Sequence, residues 1–152
     1  PDTVMRLASH QNIVGIKEAL DSSERLSELI RISQSVADQK NFSVFSGDDP
    51  SFSSFMANGG DGVISVAANI VPKYISQICS LNLSDQFDHA EELNSILKNL
   101  YELLFIESNP IPVKWMLSEM GKIQSGIRLP LVPFDENFHE KTRNEMLKLK
   151  LI

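Results

Sequence analysis

Three short, largely apolar runs, each followed by a segment with helical periodicity, constrain this chain more than any other feature. Ile13-Val14-Gly15-Ile16, Phe42-Ser43-Val44-Phe45 and Gly62-Val63-Ile64-Ser65-Val66 are too brief for helices. Strands buried on both faces by crossover helices have this character. After the first run, Leu26, Leu29, Ile30, Ser33, Val36 and Ala37 predict an amphipathic helix over residues 22–38, with Asp21 and Glu24 as a capping box. After the second, Phe52, Phe55 and Met56 mark a helix with Asp49 as its N-cap, Pro50 in its first position and Asn58-Gly59-Gly60 as its stop. Pro72 opens a third helix, which runs through Cys79. Ahead of them all, Asp2 to Ala8 reads as a short helix broken at Gln11-Asn12. The order predicts an α/β fold of βαβ units on a parallel sheet, with every strand ending on one edge.

Beyond residue 83 the pattern becomes helical only. Phe87, Ala90, Leu93, Leu97, Leu100 and Leu104 step by three and four, predicting one long helix capped by Ser84-Asp85 and packed on the rest of the protein. Two prolines, Pro110 and Pro112, stiffen the connector to a shorter helix that ends at Gly121. Residues 128–133 read as extended, and 135–150 as a last amphipathic helix. The chain therefore divides into a βα part, 1–83, and a helical part, 84–152.

Composition narrows the function classes. The formal charge of −6 argues against nucleic acid or an anionic membrane as the main partner. No apolar run approaches the ~20 residues of a membrane span. Cys79, the single cysteine, excludes an internal disulfide and fits a small core residue. Pro1-Asp2-Thr3 has neither an initiator Met nor the basic and apolar regions of a signal peptide, which points to the interior of a longer protein.

In parallel α/β folds chemistry collects at the C-terminal ends of strands. Here those ends carry Lys17-Glu18, Ser46-Gly47-Asp48-Asp49 and Ser65 to Asn69. Lys17 admits two readings. An amine held among apolar side chains is desolvated, which favours the neutral form that attacks a ketone to give a Schiff base. Alternatively it extends to solvent or pairs with Glu18. Asp48-Asp49 can be a metal or acid–base pair, or one helix cap beside one solvated charge. Gly59-Gly60-Asp61-Gly62 matches neither phosphate-loop spacing, and a helix stop plus turn suits it better. His10, His89 and His139 lack metal-ligand spacing and read as surface residues. No G-x-S-x-G elbow and no cysteine–histidine cluster is present.

Four blocks, in order, resemble one family. Asn12-Ile13-Val14-Gly15-Ile16-Lys17-Glu18-Ala19 is similar to the segment bearing the Schiff-base lysine in the family of dihydrodipicolinate synthase and N-acetylneuraminate lyase, the pyruvate-dependent class I aldolases. Ser46-Gly47-Asp48-Asp49 and the segment Gly59 to Asn69 resemble its next two strand ends. Asn109-Pro110-Ile111-Pro112-Val113-Lys114-Trp115 and Arg128-Leu129-Pro130 resemble its C-terminal helical region. The pairing of Gly-Ile-Lys-Glu with Ser-Gly-Asp-Asp is closer to the synthase branch than to the lyase branch.

The resemblance implies a (β/α)8 TIM-barrel fold, with Lys17 forming the imine with pyruvate. Gly47 and Ile64 would line the pyruvate pocket, the Ile64 carbonyl lying near the imine, and Pro110 and Pro112 would shape the linker helices. It also implies condensation of the pyruvate enamine with aspartate 4-semialdehyde on the route to diaminopimelate and lysine, no metal or bound cofactor, a cytoplasmic location and a homo-oligomer. Such a barrel needs about 250 residues, and the three strands here match the family's strands six to eight. The family's tyrosine relay, carboxylate-binding hydroxyls and substrate arginine belong to earlier strands, and Tyr74 and Tyr101 do not match the relay. Two functions follow as expectations. One is a C-terminal half of a carbon–carbon lyase with Lys17 as nucleophile. The other is an inactive half-barrel module whose open sheet edge pairs with the missing half or with a second copy.

Overall fold

The computed structural model describes residues 1–38 and 40–152. Helix α1 (Asp2–Ala8) leads to strand β1 (Gly15–Glu18), helix α2 (Ser23–Ser35), strand β2 (Ser43–Ser46), helix α3 (Phe52–Ala57) and strand β3 (Gly62–Val63). A single 3-10 turn, Ala67–Asn69, precedes α4 (Pro72–Leu83). Then come α5 (Phe87–Ser95), α6 (Lys98–Leu104), α7 (Ile111–Glu119), a second 3-10 turn at Glu136–Phe138 and α8 (His139–Lys148). Among the described residues the sheet is parallel throughout, in the order β1-β2-β3. Among the described residues no helix is long and apolar enough to cross a membrane.

Pairing places Ile16 beside Val44 and Lys17 beside Phe45, and then Phe45 beside Gly62 and Ser46 beside Val63. At Gly15 a β-carbon would lie 2.6 Å from the Ser43 carbonyl oxygen, so the close approach of β1 to β2 requires glycine there. Lys40 fastens the start of this pair, its ammonium donating to the carbonyls of His10 and Ile13.

Several local expectations shift. The first strand begins two residues late and includes Lys17 and Glu18, because backbone pairing with β2 continues past the apolar run. The third has only two residues, since Val66 already turns into helical geometry. Ser22, not Asp21, caps α2: its hydroxyl accepts from the Arg25 N–H (3.2 Å). The helix stops at Ser35 rather than 38. Asn58 and Gly59, the latter with φ +102°, end α3 as the sequence indicates.

The long helix over 84–104 is two helices. Its start moves to Phe87 because Asp85 is left-handed, and it breaks at Ile96-Leu97, where the Leu97 N–H donates three residues back to Asn94 (3.0 Å). Leucine spacing carries across the break, so Leu97, Leu100 and Leu104 are all fully buried. They join a core running from Phe52 through α4, α6 and α7 to Met146, across the 83/84 division. A smaller core packs Leu26, Leu29 and Ile32 of α2 against Val44 and Phe42. The cleft described below lies where the strand ends meet the larger core.

Candidate active site at the strand ends

Bonds beyond the paired residues stitch the three strand ends together. The Gly47 N–H donates to the Glu18 carbonyl (2.7 Å), and the Ile64 N–H donates to the Ser46 carbonyl (2.9 Å). Glu18 in turn binds Arg25 of α2 (2.9 Å) and accepts from the Leu20 N–H (3.0 Å). Burial pulls its carboxyl upward, but the Arg25 guanidinium and the N–H groups of Leu20 and Ala19 together outweigh this and lower it.

Lys17 runs along this edge. A β-carbon at Gly47 would collide with Lys17 Cε and stand 3.2 Å from its Cγ and 3.1 Å from the Ala19 methyl. The missing side chain at 47 is therefore the space that the lysine stem occupies. Lys17 and Ile64 line one open cleft of about 310 Å3, together with Ser65, Asn69, Asn109, Pro110 and Lys114. Pro112 is instead buried in the first turn of α7. The structure thus brings Lys17, Gly47 and Ile64 together.

The expectation of a shielded amine needs correction, because Lys17 is exposed, as is Ile64 at 52%. The reason is position: among the described residues β1 has a partner on one side only, and Lys17 alternates onto the face opposite the buried Val44 and Ser46. The Glu18 alternative fails too, since that carboxylate belongs to Arg25.

Asp49 is the residue that the sequence misassigned. Pro50 made it look like a cap, yet α3 begins two residues later, and Asp48 binds its start. Asp48 Oδ2 accepts from the Ser51 N–H (3.1 Å) and the Ser51 hydroxyl (2.5 Å). Asp49 is 1% exposed and accepts from the Ala67 N–H (2.8 Å), tying the end of β2 to the segment that follows β3. Burial pushes its carboxyl up, against the opposing pull of hydrogen bonds from Ser65, Ala67 and Val66. A buried acid following an acidic residue and preceding a proline carries no sequence signal that separates it from a cap.

The remaining candidates resolve locally. Asp61 Oδ2 accepts from the Val44 N–H (2.7 Å), so the Gly59–Gly62 segment is a turn clamped onto β2. His139 is half-buried, not a surface residue: its ring stacks on Trp115 (centroids 4.5 Å apart) because the chain folds back through Phe134. Tyr101 is buried away from the cleft and donates to Asn94 (2.8 Å); burial drives its phenol far up. Cys79 is half-buried against the larger core, and burial raises its thiol. Among the described residues no group of three His, Cys, Asp or Glu side chains is placed to hold a metal.

Comparison with known proteins supplies an independent line. The family described as the dihydrodipicolinate synthetase family matches residues 1–149. A 4-hydroxy-tetrahydrodipicolinate synthase of Coxiella burnetii is 44% identical over 146 residues, which are 96% of this chain and 48% of that protein. One from Teredinibacter turnerae is 45% identical over 97% of this chain and 49% of its own length. Among solved structures, the chloride-inhibited dihydrodipicolinate synthase of Acinetobacter baumannii, complexed with pyruvate, superposes with a TM-score of 0.89 at 45% identity. It covers 99% of this chain and 50% of its own. The dihydrodipicolinate synthase of Aquifex aeolicus gives 0.91 at 37% identity, over 99% of this chain and 50% of its own. The chain spans about half the length of the relatives it matches, and its α/β fold is that of part of their TIM barrel.

Proposed function

This chain belongs to the dihydrodipicolinate synthetase family, and on that premise we propose that it is the C-terminal half of a pyruvate-dependent synthase whose nucleophile is Lys17. Residues 1–83 supply strands six to eight of the barrel, and 84–152 supply the helical region behind them. The observation that carries the reading is the Lys17 stem lying over Gly47, at the C-terminal edge of a parallel sheet and within a cleft shared with Ile64.

The chemistry follows from an amine at such a place. The Lys17 nitrogen adds to the keto carbon of pyruvate, the carbonyl oxygen leaves as water, and a C=N bond forms. Loss of a methyl proton gives the enamine, whose methylene carbon bonds to the aldehyde carbon of aspartate 4-semialdehyde as the aldehyde oxygen takes up a proton and becomes a hydroxyl; the amine of aspartate 4-semialdehyde then replaces the Lys17 nitrogen at the C=N carbon and frees the lysine. The product feeds diaminopimelate and lysine synthesis in the cytoplasm. Gly47 keeps the path of the lysine clear, and Ile64 forms a wall of the keto-acid pocket and directs its carbonyl toward the imine. The relatives described above are named as synthases, which favours this branch over N-acetylneuraminate lyase.

A second reading, an inactive half-barrel that pairs with a complementary half or another copy, is favoured by the exposure of Lys17 and of Val14 (65%) and Leu20 (61%) flanking β1. Both readings meet one experiment. Incubation with pyruvate and borohydride, followed by mass mapping, should label Lys17, and Lys17→Ala should abolish the label. Label on Lys114 instead overturns the assignment, and no label at all favours the inactive module.

A further inference from the structure

Lys17 shares its cleft with a second amine. Lys114, at the end of the first turn of α7, is half-buried and lines the same opening. Among the described residues neither ammonium has a carboxylate within ion-pair distance. No Asp or Glu bounds the cleft: Ser65, Asn69 and Asn109 offer hydrogen bonds without charge, and Ile64, Val113 and Leu117 offer apolar wall. Two ammonium groups without an ion-pair partner among the described residues thus share a concavity whose lining includes no acid, in a protein with net charge −6. Such a concavity, with low-dielectric walls, focuses its field and draws an anion.

The two amines cannot share one task. A lysine that forms an imine commits its nitrogen lone pair to carbon, so it is not available as the lasting counter-ion of a carboxylate. Lys114 is the other cation that lines the cleft.

We propose that Lys114 forms an anion subsite in the Lys17 cleft, holding the carboxylate of a short acidic chain whose other end reaches Lys17. The imine chemistry at Lys17 rests on the function proposed above; the anion subsite does not require it. One charge-assisted hydrogen bond to a carboxylate corresponds to about tenfold or more in affinity, which sets the size of the effect.

The test uses glutarate as the two-headed probe and acetate as the one-headed control, titrated calorimetrically at low and high salt. Glutarate should bind about tenfold more tightly than acetate, with the advantage shrinking as salt screens the pair. Lys114→Gln should reduce glutarate to the level of acetate, and Lys114→Arg should restore most of the difference. Equal affinities for glutarate and acetate in the parent, or an unchanged glutarate affinity in Lys114→Gln, overturns the subsite. If glutarate behaves as described while pyruvate is never trapped, the subsite stands and the proposed synthase chemistry falls.

Discussion

At the scale of single residues, the cleft depends on an absence of atoms. The stem of Lys17 passes where the side chain of residue 47 would be, so any substituent there must move the lysine. Gly47→Ala leaves the strand ends bonded but displaces the amine, and an ångström of misplacement at a reacting group costs on the order of 10²-fold in rate. Borohydride trapping with pyruvate should therefore slow by about that factor while the far-ultraviolet circular dichroism spectrum is unchanged; trapping at the parental rate would show that the stem reroutes freely. Asp49 works through the backbone instead, its carboxylate holding the Ala67 N–H and so tying the end of β2 to the segment after β3. Burial raises its pKa, so between its unfolded and folded values the folded chain binds more protons than the unfolded one. Stability then falls as pH rises through that window. Asp49→Asn cannot ionise, so the parent should lose ground to this variant as pH climbs above the ordinary carboxylate range. The gap should be smallest below that range. A gap independent of pH in urea denaturation would show that ionising Asp49 costs the fold nothing.

At the scale of elements, what was legible followed from which force sets each feature. Parallel strands and their helices were readable because burial on both faces writes itself as short apolar runs with helical spacing between them, and the sequence order then leaves few topologies. Boundaries were not, because they are set by bonds that apolar pattern cannot see. Lys17 and Glu18 are polar yet belong to β1 through pairing with Phe45 and Ser46. The break between α5 and α6 hides inside an unbroken leucine rhythm, since Leu97 stays buried on either side of it. Within the site, Lys17, Gly47 and Ile64 were readable as strand-end residues, but the role of Asp49 arises from an 18-residue separation that only folding closes. The start of α2 gives a direct check on such a boundary. Ser22 makes the capping bond and Asp21 makes none to the helix. Ser22→Ala should cost about 1 kcal/mol in urea unfolding and Asp21→Ala much less. The reverse order would restore the capping box that the sequence alone suggests.

At the scale of the whole molecule, the cleft is assembled from two separately packed regions. Lys17 stands on a sheet edge backed by the smaller core around α2, whereas Ile64, Asn69, Asn109 and Lys114 belong to the part packed around α4, α6 and α7. Helix α3 joins them, with Phe55 in the smaller core and Phe52 and Met56 in the larger, as do two register pairs between β2 and β3 and the Ile64–Ser46 and Asp49–Ala67 bonds. Val14 and Leu20 flank an edge strand that has no partner on its outer side among the described residues, and both are exposed. An unpaired strand edge beside apolar side chains is a template for another chain. The relatives are about twice as long, so on the function proposed above the half of a synthase that this chain does not match is the partner to test. Mixing the chain with that half of the Coxiella burnetii relative should slow amide exchange across Val14 to Glu18 and convert pyruvate trapping at Lys17 into turnover with aspartate 4-semialdehyde. The chain alone should trap without turning over, because an exposed amine without preorganised neighbours stabilises little charge in a transition state. Full synthase turnover by the chain alone would mean that the cleft between the two regions already holds every group the reaction needs. Turnover in the mixture without protection of the β1 amides would place the docking surface elsewhere than this edge.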